Sequence, residues 1–165
     1  MGMYTGLSFI GIVKDDMIDE LNNILYDDFS GRRVWENATT PKLKEFGDTV
    51  RRQSFIPYGS LAYMPSEWDK YHGSTVKDKL WNFTCSLKNY EDEIGIFLRD
   101  VAPVVADTYV AIVHYEEWDD DYHELYSEEG YIGGVHYDID VFQAAAESMI
   151  LTNRLDMIEA LNESE

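Results

Sequence analysis

LWNFTCSLKNYEDEIGIFLRDVAP, residues 80–103, is the stretch from which the fold is read. Trp81, Phe83, Cys85 and Leu87 alternate with Asn82, Thr84, Ser86 and Lys88. This period of two belongs to an antiparallel strand with one apolar and one wet face. Asn89 then caps a helix whose first turn holds Glu91, Asp92 and Glu93, where the positive end of the helix dipole favours carboxylates. Ile94, Phe97, Leu98 and Val101 recur at helical spacing, and Pro103 is expected to stop the helix.

Toward the N-terminus the same alternation of strand and helix returns. Tyr4 to Val13 reads as a central strand, with Leu7 and Phe9 on one face and Ile10 and Ile12 on the other. Lys14-Asp15-Asp16 opens a helix with the apolar stripe Met17, Ile18, Leu21, Ile24 and Leu25. Residues 26–38 read as irregular. Thr40-Pro41 is a helix start, with Leu43, Phe46 and Val50 facing inward. Phe55 to Gly59 is a turn-bearing aromatic segment, and Ser60 to Met64 a short strand closed by Pro65.

Toward the C-terminus, Asp107 to Glu116 reads as a strand. Tyr122 to Ser127 and Tyr131 to Tyr137 read as a hairpin around Glu129-Gly130. A long helix is expected from about Ile139 to Leu161, with its apolar face rotating near Thr152-Asn153. The expected fold class is α+β over residues 1–165 as one domain. It has a mainly antiparallel sheet with a split β-α-β-β-α-β core, helices on one face, an extra C-terminal hairpin and a long C-terminal helix.

The chain has 165 residues, 45% hydrophobic and 14% aromatic, enough for a core without staples. It holds 32 acids against 13 bases, a net of −19. Such charge with so rich an apolar content excludes a disordered chain, and excludes holding nucleic acid by a basic patch. Residues 1–99 carry 15 acids and 12 bases, whereas residues 100–165 carry 17 acids and one base, Arg154. The acidity thus belongs to the last third. It is densest at Glu116-Glu117-Trp118-Asp119-Asp120-Asp121-Tyr122-His123-Glu124, and six of the twelve tyrosines fall between Tyr109 and Tyr137.

One cysteine, Cys85, precludes an intramolecular disulfide and points to a reducing cytoplasm. No basic region precedes a long apolar run, and no stretch reaches the ~20 apolar residues of a membrane span, so neither a signal peptide nor membrane attachment is expected. Met1-Gly2 lacks the Ser or Thr that a myristoylation motif needs at position 6, where Gly6 stands.

No phosphate loop, nucleophile elbow, HExxH or CxxC is present. Gly130-Tyr131-Ile132-Gly133-Gly134 sits among carboxylates that repel phosphate, so its glycines read as turn and strand-distortion residues. Cys85, on the apolar face of its strand, reads as a buried structural thiol. Arg32, Arg33, Lys42, Lys44, Arg51 and Arg52 cluster near Trp35 and are expected to pair with acids, within the chain or across a dimer.

The favoured function is a non-enzymatic acidic binding protein that occupies a cationic site on a basic partner protein. The form in view is a nucleic-acid-mimicking inhibitor of a nuclease or defence complex, with no direct nucleic-acid binding and no cofactor. Carboxylates on a rigid support can imitate backbone phosphates, while aromatic side chains anchor. The partner-binding residues are Glu116, Glu117, Trp118, Asp119, Asp120, Asp121, Tyr122 and Glu124. One alternative is a small metal-dependent enzyme, with His114, Glu116, His136 and Asp138 converging on a divalent ion. Another is an oligomerising scaffold whose acidic face is only solvated.

Overall fold

The computed structural model describes residues 3–26, 34–51, 53 and 55–151, the side chains of Tyr26 and of residues 147–151 excepted. β1 (Thr5–Val13) is buried along almost its whole length, because Leu7 and Phe9 serve one core layer while Ile10 serves the other. A 3-10 turn at Asp15–Met17 leads into α1 (Ile18–Tyr26). The segment read as irregular contains a further 3-10 turn, Val34–Asn37, that buries Trp35. α2 (Pro41–Thr49) starts with its proline at the first position. Thr40 does not cap that helix with its own side chain. Its hydroxyl and its amide instead donate to the Glu20 carboxylate of α1 at 2.6 and 2.8 Å.

α3 (Phe55–Tyr58) is a single turn, and β2 (Gly73–Lys77) and β3 (Leu80–Leu87) form a hairpin. The helix after β3 starts later than expected, at Glu93 with Asp92 at the N-cap position, so Glu91 and Asp92 precede its first turn; the Asn89 Oδ1 still reaches it, accepting the Ile94 N–H at 2.9 Å. α4 (Glu93–Ile96) and α5 (Ala102–Val105) are joined by a π turn at Phe97–Val101. Pro103 therefore does not stop the helix. The Ala102 N–H reaches back to Phe97 O, and the proline falls in the first turn of α5, where its missing N–H breaks no helical bond. β4 (Ala106–Tyr115), β5 (Tyr122–Ser127), β6 (Gly130–His136) and α6 (Ile139–Leu151) complete the described chain. The expected stretch of α6 from 152 to 161 lies outside the described residues.

The strand order is β2-β3-β1-β4-β5-β6 with every pair antiparallel. The first four strands, with α1 and the α4–α5 rod as crossovers, form the split β-α-β-β-α-β core. The β5–β6 hairpin extends the sheet beyond β4. No described helix is long and apolar enough to cross a membrane.

Both faces of the sheet are covered, which corrects the expectation of helices on one face only. α1, α2 and the α4–α5 rod cover the first face over a cluster including Phe9, Trp35, Trp81, Phe83 and Phe97. The second face is covered by α6 and a 3-10 helix at Ser66–Tyr71, which bring Phe142 and Trp68 onto Ile10, Val110, Ile112 and Leu125. The face of β3 read as wet is consequently dry in its second half. Thr84 and Ser86 are buried, with the Thr84 and Ser8 hydroxyls 2.9 Å apart and Gln143 of α6 donating to Ser8 at 2.9 Å. Ser60–Met64 is not a strand. Its Ser60 carbonyl accepts the Ser86 N–H and hydroxyl, pinning the segment to β3 at one residue before it turns into the 3-10 helix.

Candidate functional site

The β4–β5 connection and the hairpin it starts carry the acidic run. Trp118 stands edge-on to Tyr115 and to Tyr122, with ring centroids 4.5 and 4.8 Å apart, and Tyr122 packs on His136 at 4.8 Å. Gly134 permits this arrangement: a Cβ there would fall 2.3 Å from the Tyr122 hydroxyl oxygen. Glu116 is turned inward, its Oε1 accepting the Tyr4 N–H at 2.8 Å. Glu117, Asp119, Asp120 and Asp121 are left exposed on this aromatic support. Glu124, on β5, accepts the Tyr126 hydroxyl at 2.8 Å. The eight residues singled out from the sequence thus divide. Trp118, Tyr122 and Glu116 build the loop, the four exposed carboxylates form its outer surface, and Glu124 lies apart on β5, engaged by Tyr126.

Beside this loop lies a groove of about 380 Å³, between the overhanging hairpin and the α4–α5 rod. Leu98, Pro103 and Val113 supply apolar floor; Tyr109, Tyr115, Tyr126 and Tyr131 supply rings; Asp92, Glu128 and Glu129 supply carboxylates. Tyr126 and Tyr131 meet edge to face at 5.4 Å. Glu128 Oε1 accepts the Thr108 hydroxyl and the Tyr109 N–H, both at 3.2 Å. Burial, then the nearby Glu128, pushes the Tyr109 phenol up to about 12. Burial raises Tyr115 as well, with Glu124, Asp92 and Glu117 adding to it. Burial and the bond to Glu124 hold Tyr126 protonated far above neutral pH. Arg99 is the one cation lining the groove among the described residues, and its guanidinium donates twice to Asp100, at 3.1 Å each. The excess of tyrosine here is visible in the sequence. Its meeting with Asp92 and the helical rod, from a segment distant in the chain, is not.

The four residues considered as metal ligands are not brought together. His114 lies on the second face, 1% exposed, with its Nδ1 2.9 Å from the Tyr122 carbonyl and 3.1 Å from His123 Nδ1. Glu116 is held by Tyr4, His136 lies 3.9 Å from Asp121, and Asp138 accepts the Val141 N–H at the start of α6. Among the described residues no group of three or more His, Cys, Asp or Glu side chains could hold a metal ion. Cys85 is buried, and burial raises its thiol to about 12, far from a nucleophile's range.

The His114–His123 contact was not legible in the sequence. Both imidazoles are buried between Trp68 and the sheet, their centroids 5.9 and 6.0 Å from the indole. Burial lowers His114, opposed by the Tyr122 carbonyl and by Asp120 and Glu117. Burial, then the neighbouring His114, lowers His123 to about 3. Both rings are therefore neutral at pH 7.

Among the basic residues, Lys44 pairs with Asp48 of its own helix at 3.5 Å and donates to Glu36 O at 3.1 Å. Lys70 reaches Asp140 of the acidic third at 2.9 Å. Arg32, Arg33 and Arg52 lie outside the described residues. Fold and site together define an antiparallel α+β protein with an acidic, tyrosine-lined face. Comparison with family models, curated proteins and solved structures finds no match to this chain.

Proposed function

We propose that this protein is a non-enzymatic binding protein whose acidic hairpin loop occupies a cationic site on a partner protein. The observation that carries the reading is the loop of exposed carboxylates, Glu117 and Asp119 to Asp121, held on the packed rings of Tyr115, Trp118 and Tyr122. Charges on a rigid support lose little conformational entropy when a partner docks. A field of one sign also speeds encounter with a surface of the other. In its finer form the cationic site is one that otherwise holds nucleic acid, on a nuclease or defence complex, and the carboxylates stand where phosphates would.

The test is capture from host lysate by the immobilised protein, with low-salt and high-salt washes, against the Asp119→Lys, Asp120→Lys, Asp121→Lys variant. The expected result is a stoichiometric basic protein released by high salt, displaced by added duplex DNA, and lost in the variant while circular dichroism is unchanged. Equal capture by the variant defeats the proposal. Capture that salt reverses but duplex DNA does not displace retains the cationic partner and rejects nucleic-acid mimicry.

A further inference from the structure

We infer that the groove between the β5–β6 hairpin and the α4–α5 rod is a receptor for one cationic side chain, lysine or arginine, presented by the partner. The inference rests on the reading of the hairpin as a partner-binding surface and names what enters beside the loop. Charge complementarity selects the occupant. The groove combines tyrosine rings with the carboxylates of Asp92, Glu128 and Glu129, and its one lining cation among the described residues is occupied by Asp100. An anion entering here meets three carboxylates against a single guanidinium, Arg99, that is already bound to Asp100. A neutral apolar group gains the floor but no electrostatic attraction to the acidic rim.

A cation gains both features. Aromatic faces carry negative potential and attract ammonium or guanidinium groups, and the aliphatic stem of lysine or arginine suits an apolar floor. The tyrosines stay neutral phenols, because burial and the surrounding carboxylates raise Tyr109, Tyr115 and Tyr126. The volume of about 380 Å³ lies within the ~300–1,000 Å³ usual for small-ligand clefts. Asp92 has a defined place at the rim. It sits in left-handed backbone (φ 60°), and its carboxylate fills the space beside Gly95, where a Cβ would fall 2.3 Å from Oδ2.

The experiment is a titration of the full chain, with tyrosine rings isotopically labelled for NMR. The probes are N-acetyl-L-arginine amide, N-acetyl-L-lysine amide and the neutral N-acetyl-L-norleucine amide. Saturable shifts of Tyr115, Tyr126 and Tyr131 with the two cationic probes, and none with the neutral one, support the inference. Tyr131→Ala removes an exposed ring and is expected to weaken cation binding by about three-fold to five-fold. Glu129→Gln, also at an exposed position, is expected to weaken it by about two-fold. Equal binding of the norleucine probe, unshifted tyrosines with the cations, or an unchanged affinity in Tyr131→Ala each overturns it. The Asp119→Lys, Asp120→Lys, Asp121→Lys variant separates the two readings. Retained probe binding with lost partner capture supports both, whereas retained capture alongside a groove that takes no cation sinks the groove alone.

Discussion

The two faces of the sheet bury tryptophan in opposite ways. On the first face the Trp35 indole N–H donates to the Ile56 carbonyl at 2.6 Å, among Phe46, Trp81 and Phe97. On the second face the buried Trp68 indole N–H and Tyr137 hydroxyl have no hydrogen-bond partner among the described residues. The first layer is an aromatic core with the Gln53 amide hydrogen-bonded to the Trp35 and Gly47 backbone and Glu93 buried in the covering helix. The second is a core in which imidazoles and a phenol have been desolvated, an arrangement that costs stability. It includes the inner face of the acidic hairpin through Leu125 and Val135. The second layer thus carries the buried imidazoles, and the first is the aromatic frame on the other side of the sheet.

The largest expected effect is in the aromatic frame. Phe9 is fully buried and stacks with Phe83 and Tyr109 at 5.1 and 5.0 Å. Phe9→Ala is expected to cost about 3–5 kcal/mol, read as a lowered midpoint in urea unfolding at unchanged slope. A loss smaller than that of any truncation on the second face would break the contrast between the layers.

Next comes the pH dependence of the second layer. His114 and His123 are lowered in the fold relative to the unfolded value near 6.5, so the unfolded chain binds more protons as pH falls below it. Their contribution to stability is complete above about pH 6.5 and declines as pH falls toward the folded values, by at most about 1.4 kcal/mol per pH unit for each ring. Lower pH also relieves repulsion among the acids, which acts in the opposite direction. The comparison of wild type with His123→Phe separates the two. Between pH 7 and 5 the variant should lose less stability than wild type, and parallel curves would show that the imidazole does not titrate this way.

A smaller effect sharpens the comparison through two tyrosines. The Tyr109 hydroxyl donates to Leu98 O at 3.2 Å, whereas the buried Tyr137 hydroxyl has no partner among the described residues. Tyr109→Phe is expected to cost about 1 kcal/mol, and Tyr137→Phe to be neutral or to stabilise by up to about 1 kcal/mol. Equal losses in chemical denaturation would mean that the second hydroxyl has found a partner, such as a bound water.

The smallest effect is at the surface. Asp119, Asp120 and Asp121 are exposed, and replacing each singly by Asn should leave the unfolding midpoint within about 0.5 kcal/mol of wild type. A larger change would assign these carboxylates to the fold rather than to a partner.

Local signals in this chain were legible because they rest on short-range chemistry. The alternation in Trp81 to Leu87, the inward Leu43 and Phe46, and the hairpin around Gly130 are all present in the structure. Gly130 takes φ 107° at the turn, and the pairing slips beyond Leu125 opposite the glycine pair, as strand-distorting glycines do. Misreadings arose where a distant segment decided. Thr84 and Ser86 look solvent-facing until Ser60 and Gln143 close over that face. Pro103 looks like a stop until the π turn before it leaves no bond for it to break.

By itself the sequence determined the strands other than β2, whose place it gave to Ser60–Met64, the apolar faces of β3 and of the helix after it, and the concentration of acid in the last third. Those follow from side-chain period, propensity and charge, which act over a few residues. Tertiary structure alone decided three further things. The second face of the sheet is covered, His114 meets His123 across β4 and β5, and the tyrosines of the hairpin meet Asp92 from a distant segment. Each depends on strand register, and register is selected by burial of the whole sheet at once. The groove owes its shape to the same cause: two added strands carry the sheet past the helical rod.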